Sequence, residues 1–185
     1  MSDSTRDFEF TLLCEHVDAI DTNLEDALFE AGCDDATISL EYGRIVLTFC
    51  RSALSMKSAI ISAIQDVRRA GIEELRVDEC DLVNQADIGR LIGRSRQLVH
   101  QYITGIRGPG AFPPPVCHIT DGAPLWYWCE VAHWLYDHDL ISKQAVDDAQ
   151  EKAVINNILE LNYYRHIQPE LTAEVTTALE QLADT

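Results

Sequence analysis

Apolar and polar residues alternate from Phe8 through Phe10 and Leu12 to Cys14, the period-two pattern of a strand with one buried face. The period then changes. Leu24, Ala27, Leu28 and Ala31 recur at helical spacing and Gly32 follows, so a short helix is expected over 24–31. Residues 37–41 and 44–50 are rich in β-branched and apolar side chains around Tyr42-Gly43, which predicts a tight hairpin. Met56, Ala59, Ile60, Ala63, Ile64 and Val67 mark a helix over 55–70 that Gly71 ends, and Leu75 and Val77 mark a last strand. The order βαββαβ over residues 7–81 predicts an α+β, ferredoxin-like domain, one antiparallel sheet backed by two helices. That arrangement hosts many functions and names none.

Residues 82–137 read differently. Ala86, Ile88, Leu91 and Ile92 can face inward on a first helix. Gly89 is small where two helices must cross, and Gly93 suits a turn that needs positive φ. Ser95 supplies an N-cap oxygen for a second helix, in which Leu98, Val99, Tyr102 and Ile103 form the packing face. Arg96, Gln97, His100, Gln101 and Thr104 are left pointing outward. Pro109 and Pro113–Pro115 then stop the helix, and 116–128 reads as a hairpin around Asp121-Gly122, placed as a wing. Trp126, Trp128, Val131, Trp134 and Leu135 are expected to pack a third helix, about 129–136, beneath the first two. Residues 140–185 form a helical tail interrupted at Pro169.

Charge singles out the middle segment. The 185-residue chain has a formal net charge of −17, with −11 over residues 1–81 and −9 over 121–185. Residues 82–120 instead carry Arg90, Arg94, Arg96 and Arg107 against Asp87 alone, a balance of +3. A site for a polyanion therefore lies within a body that repels one, so affinity for DNA must come from a local patch. Arginine and glutamine read guanine and adenine edges in the major groove, and a helix N-terminus favours phosphate. The candidate DNA-contacting set is Arg90, Arg94, Ser95, Arg96, Gln97, His100, Gln101, Thr104 and Arg107.

Here the chain resembles a family. The run VNQADIGRLIGRSRQLVHQYITGIRGPGAFPPPV, followed by PLWYWCEVAHWL, is similar to the winged helix-turn-helix of AlpA-like and MerR-like regulators. There a first helix, a glycine turn, an arginine-bearing second helix, an F-P-x-P-V lead into the wing and a W…V..W-L helix follow in this order. The preceding LFEAGCDDATISLEYGRIVLTF resembles a βαββαβ module found before such winged helices in small bacterial DNA-binding proteins. Together these cover about 130 of the 185 residues and leave out the tail. The resemblance implies a sequence-specific transcriptional regulator that binds double-stranded DNA with the helix over 96–104. Arg94 departs from the pattern, which often has an apolar residue after the turn glycine. If exposed, it adds a phosphate contact; if buried, the assumed register is wrong.

Three other readings compete. An antitoxin or partner-binding module could use the acidic N-terminal domain to mask a basic protein and repress its own operon. An excisionase-like recombination directionality factor would bend DNA beside an integrase site. An effector-sensing regulator would take a small molecule in the βαββαβ domain. The apolar stripe of the tail is expected to form a homodimer through 140–185, since helix-turn-helix modules usually act as symmetric pairs. No phosphate loop, nucleophile elbow or paired-carboxylate pattern occurs, so neither enzymatic activity nor a cofactor is expected. Cys117, His118, Cys129 and His133 fit no common zinc spacing, so no metal is expected. All six cysteines lie among apolar neighbours without a CxxC pair and are expected to be buried, reduced thiols. The polar, acidic start MSDSTRDFEF and the lack of an 18-residue apolar run predict a cytoplasmic protein with no membrane span.

Overall fold

The structure, a computed structural model, describes residues 5–14 and 20–183. Residues 1–4, at the start of the polar N-terminus, and the last two residues of the expected tail lie outside them. Two compact units divide the chain: residues 1–78 with 154–185, and residues 79–153.

The first unit contains strands β1 (Arg6–Cys14), β2 (Ala36–Glu41), β3 (Arg44–Ala53) and β4 (Leu75–Val77), with helices α1 (Thr22–Glu30) and α2 (Met56–Arg69). The four strands form an antiparallel sheet in the order β2-β3-β1-β4. Asp21 caps α1, accepting the Leu24 N–H at 2.8 Å, and Ser55 and Ser58 form a capping box on α2. Tyr42 and Gly43 both take positive φ, 51° and 79°, as a two-residue turn between twisted strands requires. The alternation read from the sequence is the alternation observed: Phe8, Phe10, Leu12 and Cys14 are buried, with Ile45, Leu47 and Phe49 beside them. Phe10 stacks on Phe49, centroids 5.2 Å apart, and Ile60, Ala63 and Val67 of α2 cover this face.

One charged residue enters this core. Arg51, on the same face as Phe49, is buried and fully satisfied. Its guanidinium donates to both Asp35 oxygens (2.7 and 2.8 Å), to Asp66 (2.6 Å), to Ser62 (3.2 Å) and to the Gly32 carbonyl (3.1 Å). The hydrogen bond to Asp35, foremost, raises its pKa against the lowering effect of burial. No local pattern singles out Arg51. The residues that satisfy this arginine lie 11 to 19 positions away, beyond any local pattern. Alternation also explains one thiol. Cys50 points to the opposite side of β3 from Phe49 and Arg51 and is exposed, as is Cys80, so the expectation of six buried cysteines is corrected to two fully buried, Cys14 and Cys33.

The second unit contains β5 (Leu82–Val83), α3 (Gln85–Leu91), α4 (Arg96–Ile103), β6 (Trp126–Tyr127) and α5 (Trp128–Asp137). Its core joins Val83, Ile88, Val99, Trp126, Val131 and Leu135. The expected hairpin over 116–128 is reduced to one bridge, Cys117 to Leu125. β6 pairs instead with β5, Val83 opposite Trp126 and Leu82 opposite Tyr127. Pro124 has no N–H for a ladder and His118 sits at φ 53°, so the strands flanking Asp121-Gly122 cannot extend.

The expected tail begins with α6 (Lys143–Ile167) and ends with α7 (Pro169–Ala183). The boundary between units falls inside α6: Val146 and Ala149 belong to the second core, Ile155 and Leu159 to the first. Asn156 also closes the outer edge of β4, accepting the Val77 N–H at 2.9 Å and donating to the Val77 carbonyl at 3.2 Å. No helix among the described residues is long and apolar enough to cross a membrane.

Arg51→Met should cost the first unit about 3 kcal/mol by leaving Asp35 without its cation and Asp66 with Arg69 alone, measured by urea unfolding followed by circular dichroism. A change under about 1 kcal/mol would show that the cluster contributes little. A thiol reagent at pH 8 should label Cys50 and Cys80 first. Burial, aided by Asp66, pushes the Cys33 thiol up to about 11, so it stays protonated and unreactive there.

Candidate nucleic-acid interface

The geometry of the basic segment is set where α3 and α4 cross. A Cβ on Gly89 would stand 2.7 Å from the Arg94 carbonyl oxygen and 3.2 Å from the Arg96 nitrogen, so only glycine permits this approach. The Arg94 N–H in turn donates to the Gly89 carbonyl at 2.7 Å. Gly93 makes the turn at φ 62°, in the left-handed region. Asn84 and Asp87 form a capping box at the start of α3, and Ser95 caps α4 by accepting the Leu98 N–H at 3.3 Å.

With the crossing fixed, α4 can turn one face inward. Val99 is fully buried, and Leu98, Tyr102 and Ile103 are partly covered, as the spacing predicts. Arg94, Arg96, Gln97, His100 and Thr104 are exposed, while Gln101 is only half exposed. The exposure of Arg94 supports the register in which it follows the turn. Not every candidate side chain is equally available. Ser95 is engaged as a cap, and the Thr104 hydroxyl donates to the His100 carbonyl at 2.8 Å. Arg90 is bound to Asp87 at 2.7 Å, the one acid of the segment, which also serves the α3 cap. Arg107 is exposed, and its N–H donates to the Gln101 carbonyl at 3.1 Å, holding the following loop to the outer half of α4.

The proline-rich loop is anchored by tryptophan. Trp134 donates its indole N–H to the Gly110 carbonyl at 2.9 Å, and Trp126 donates to the Pro113 carbonyl at 3.0 Å. Phe112 packs edge-on against Trp134, and Tyr102 of α4 lies 5.5 Å from the same indole. Gly108 passes so close to the Tyr102 ring, 2.8 Å for a Cβ, that a side chain there would displace it. The loop is thereby joined through Trp134 to the outward-facing helix. At its far end His118 and Asp121 share a hydrogen bond of 2.9 Å, which lowers the Asp121 pKa.

Asp81 has a role that no local motif marks. The N-cap residue of α5, Tyr127, makes no side-chain cap. Asp81 replaces it from the position just before β5, accepting the Cys129 N–H at 3.0 Å, while its own carbonyl accepts the Trp128 N–H at 2.6 Å. Burial, then the Asp81 carboxylate, pushes the Cys129 thiol up to about 11. Such a cap comes from 48 residues away, so no local motif marks it. Among the described residues no three His, Cys, Asp or Glu side chains are grouped to hold a metal ion.

Gly89→Ala tests the crossing. The obstructing atom is backbone, so the helices must separate, at a cost of about 1–3 kcal/mol. All three tryptophans lie in residues 79–153, so their fluorescence should report an earlier unfolding midpoint for this variant. An unchanged midpoint would mean that the crossing relaxes freely.

Comparison with protein-family models, with curated proteins and with solved structures gave no match.

Proposed function

We propose that the protein is a sequence-specific DNA-binding regulator of transcription, in which α4 enters the major groove. One observation carries this reading: the turn before α4 and its first residues present Arg94, Arg96 and Gln97 together, all exposed, in a +3 segment of a −17 chain. On this reading the second unit is a winged helix-turn-helix with β5 and β6 at the base of a short wing, and the first is a ferredoxin-like module. Gln97 and His100 face base edges, and Gln101 contributes from the partly covered side. Arg94, Arg96 and Arg107 neutralise phosphates, with the α4 N-terminus adding its dipole. Arg90 shares its charge with Asp87 and adds less.

A ligand-responsive form of this reading is favoured by an open groove of about 760 Å³ in the first unit. Arg44, Arg68, Arg76, Tyr163 and His166 line it together with Glu73 and Glu74, a mixed set suited to a small polar effector.

Capture of genomic DNA fragments by the purified protein, followed by sequencing, tests the main reading. A recurrent site should appear, and Arg96→Ala/Gln97→Ala should abolish its enrichment. With roughly three phosphates neutralised per protomer, log affinity should fall against log salt with a slope near −3. No enriched site, or affinity indifferent to a tenfold change in salt, would overturn it.

A further inference from the structure

The loop after α4 is slender, and it is held at both ends. Between Thr104 and Pro109 it carries two large side chains, Ile106 and Arg107, with Gly105 before them and Gly108 after. The Arg107 N–H is tied to the Gln101 carbonyl of α4 (3.1 Å), and the Trp134 indole holds the Gly110 carbonyl (2.9 Å). Gly108 lies so close on the Tyr102 ring that a Cβ would stand 2.8 Å from it. Ala111 then takes φ 50°, a left-handed conformation that disfavours a side chain, and Phe112 packs on Trp134. These ties fix the shape of the loop and the place from which its two side chains project.

Ile106 is the outlier in this frame. It is 70% exposed, the most exposed large apolar side chain of residues 79–153. A scattered apolar residue on a surface is ordinary. This one stands on an anchored loop beside an exposed arginine, directly after the outward row Gln97, His100 and Thr104. It also has little apolar company, because Thr104, Gly105, Arg107 and Gly108 are its exposed neighbours. A protein partner takes a contiguous apolar patch, and none surrounds it. An aliphatic tip beside a guanidinium, on backbone otherwise nearly bare of side chains, matches a DNA minor groove about 6 Å wide. There an apolar wedge meets deoxyribose and base edges, and a cation meets phosphate.

We infer that Gly105–Gly108 is a second DNA-contacting element. Ile106 enters the minor groove beside the major-groove site of α4, and Arg107 pairs with a phosphate at its rim. The inference rests on the DNA-binding reading and adds to it an apolar contact that α4 does not supply.

Hydroxyl-radical footprinting on the site recovered by genomic capture tests it, because the radical attacks deoxyribose from the minor groove. The parent should protect a short run of sugars flanking the α4 site. Ile106→Ala should lose that protection and bind about 10-fold more weakly. Its slope of log affinity against log salt should stay at the parent's value, since no cation is removed, whereas Arg107→Ala should make the slope shallower by about 1. Both side chains are exposed, so both variants should match the parent in circular dichroism and thermal midpoint. An enriched site that Ile106→Ala binds as tightly as the parent, or whose flanking sugars the parent leaves open to cleavage, would overturn this inference alone. A parent chain that enriches no site would overturn the DNA-binding reading and this inference with it.

Discussion

A missing methyl group governs the second unit. Because residue 89 carries no side chain, the Arg94 carbonyl and the Arg96 nitrogen can press against α3, and α4 starts where Ser95 can cap it. From that start the helical period alone decides the rest: Val99 turns inward, and Arg96, Gln97 and His100 turn outward. The aromatic packing repeats the logic one layer down. Tyr102 meets Trp134, Trp134 holds the Gly110 carbonyl, and the loop carrying Arg107 is fixed beside the exposed face. The basic surface is thus a consequence of packing, with each arginine placed by an apolar or backbone contact near it.

The charge distribution makes sense of so few cations. At physiological ionic strength the Debye length is about 8 Å, so exposed acids farther off are largely screened and a small cluster of arginines keeps a local field. At longer range and lower salt the −17 charge opposes approach to any polyanion. On the proposed reading this division favours contacts made at short range, where base edges can be read, over loose attachment to the phosphate backbone. Asp87 trims the cluster further. It closes the α3 capping box, and the same carboxylate takes up Arg90.

What the sequence discloses is what depends on neighbours in the chain. The alternation of Phe8 to Cys14, the Tyr42-Gly43 turn, and the spacing of Gly89, Gly93 and Ser95 all appear in the structure where the pattern puts them. What it conceals depends on distant pairing. Arg51 finds Asp35 and Asp66, Asp81 caps α5, and Asn156 closes the edge of β4 across 79 positions. The hairpin over 116–128 is shortened for the same reason: β6 pairs with β5, 43 positions away by the Val83–Trp126 pair, and only one bridge joins it to the strand beside it. Trp126 must be buried, and the short sheet with β5 buries it while the proline-laden neighbour cannot supply a ladder.

Helix α6 shows how periodicity reaches its limit. Val146 and Ala149 serve one core, while Ile155 and Leu159 serve the other. Beyond them the exposed stripe of Ile158 and Leu161 opens on another side of the same helix. Summed along 25 residues these faces blur into the broad apolar surface that the sequence shows. Only the separation of buried from exposed positions reveals that two of these faces are already covered and one is not. The covered faces of α6 each contribute stability in proportion to the apolar area they remove from water, and the exposed one does not.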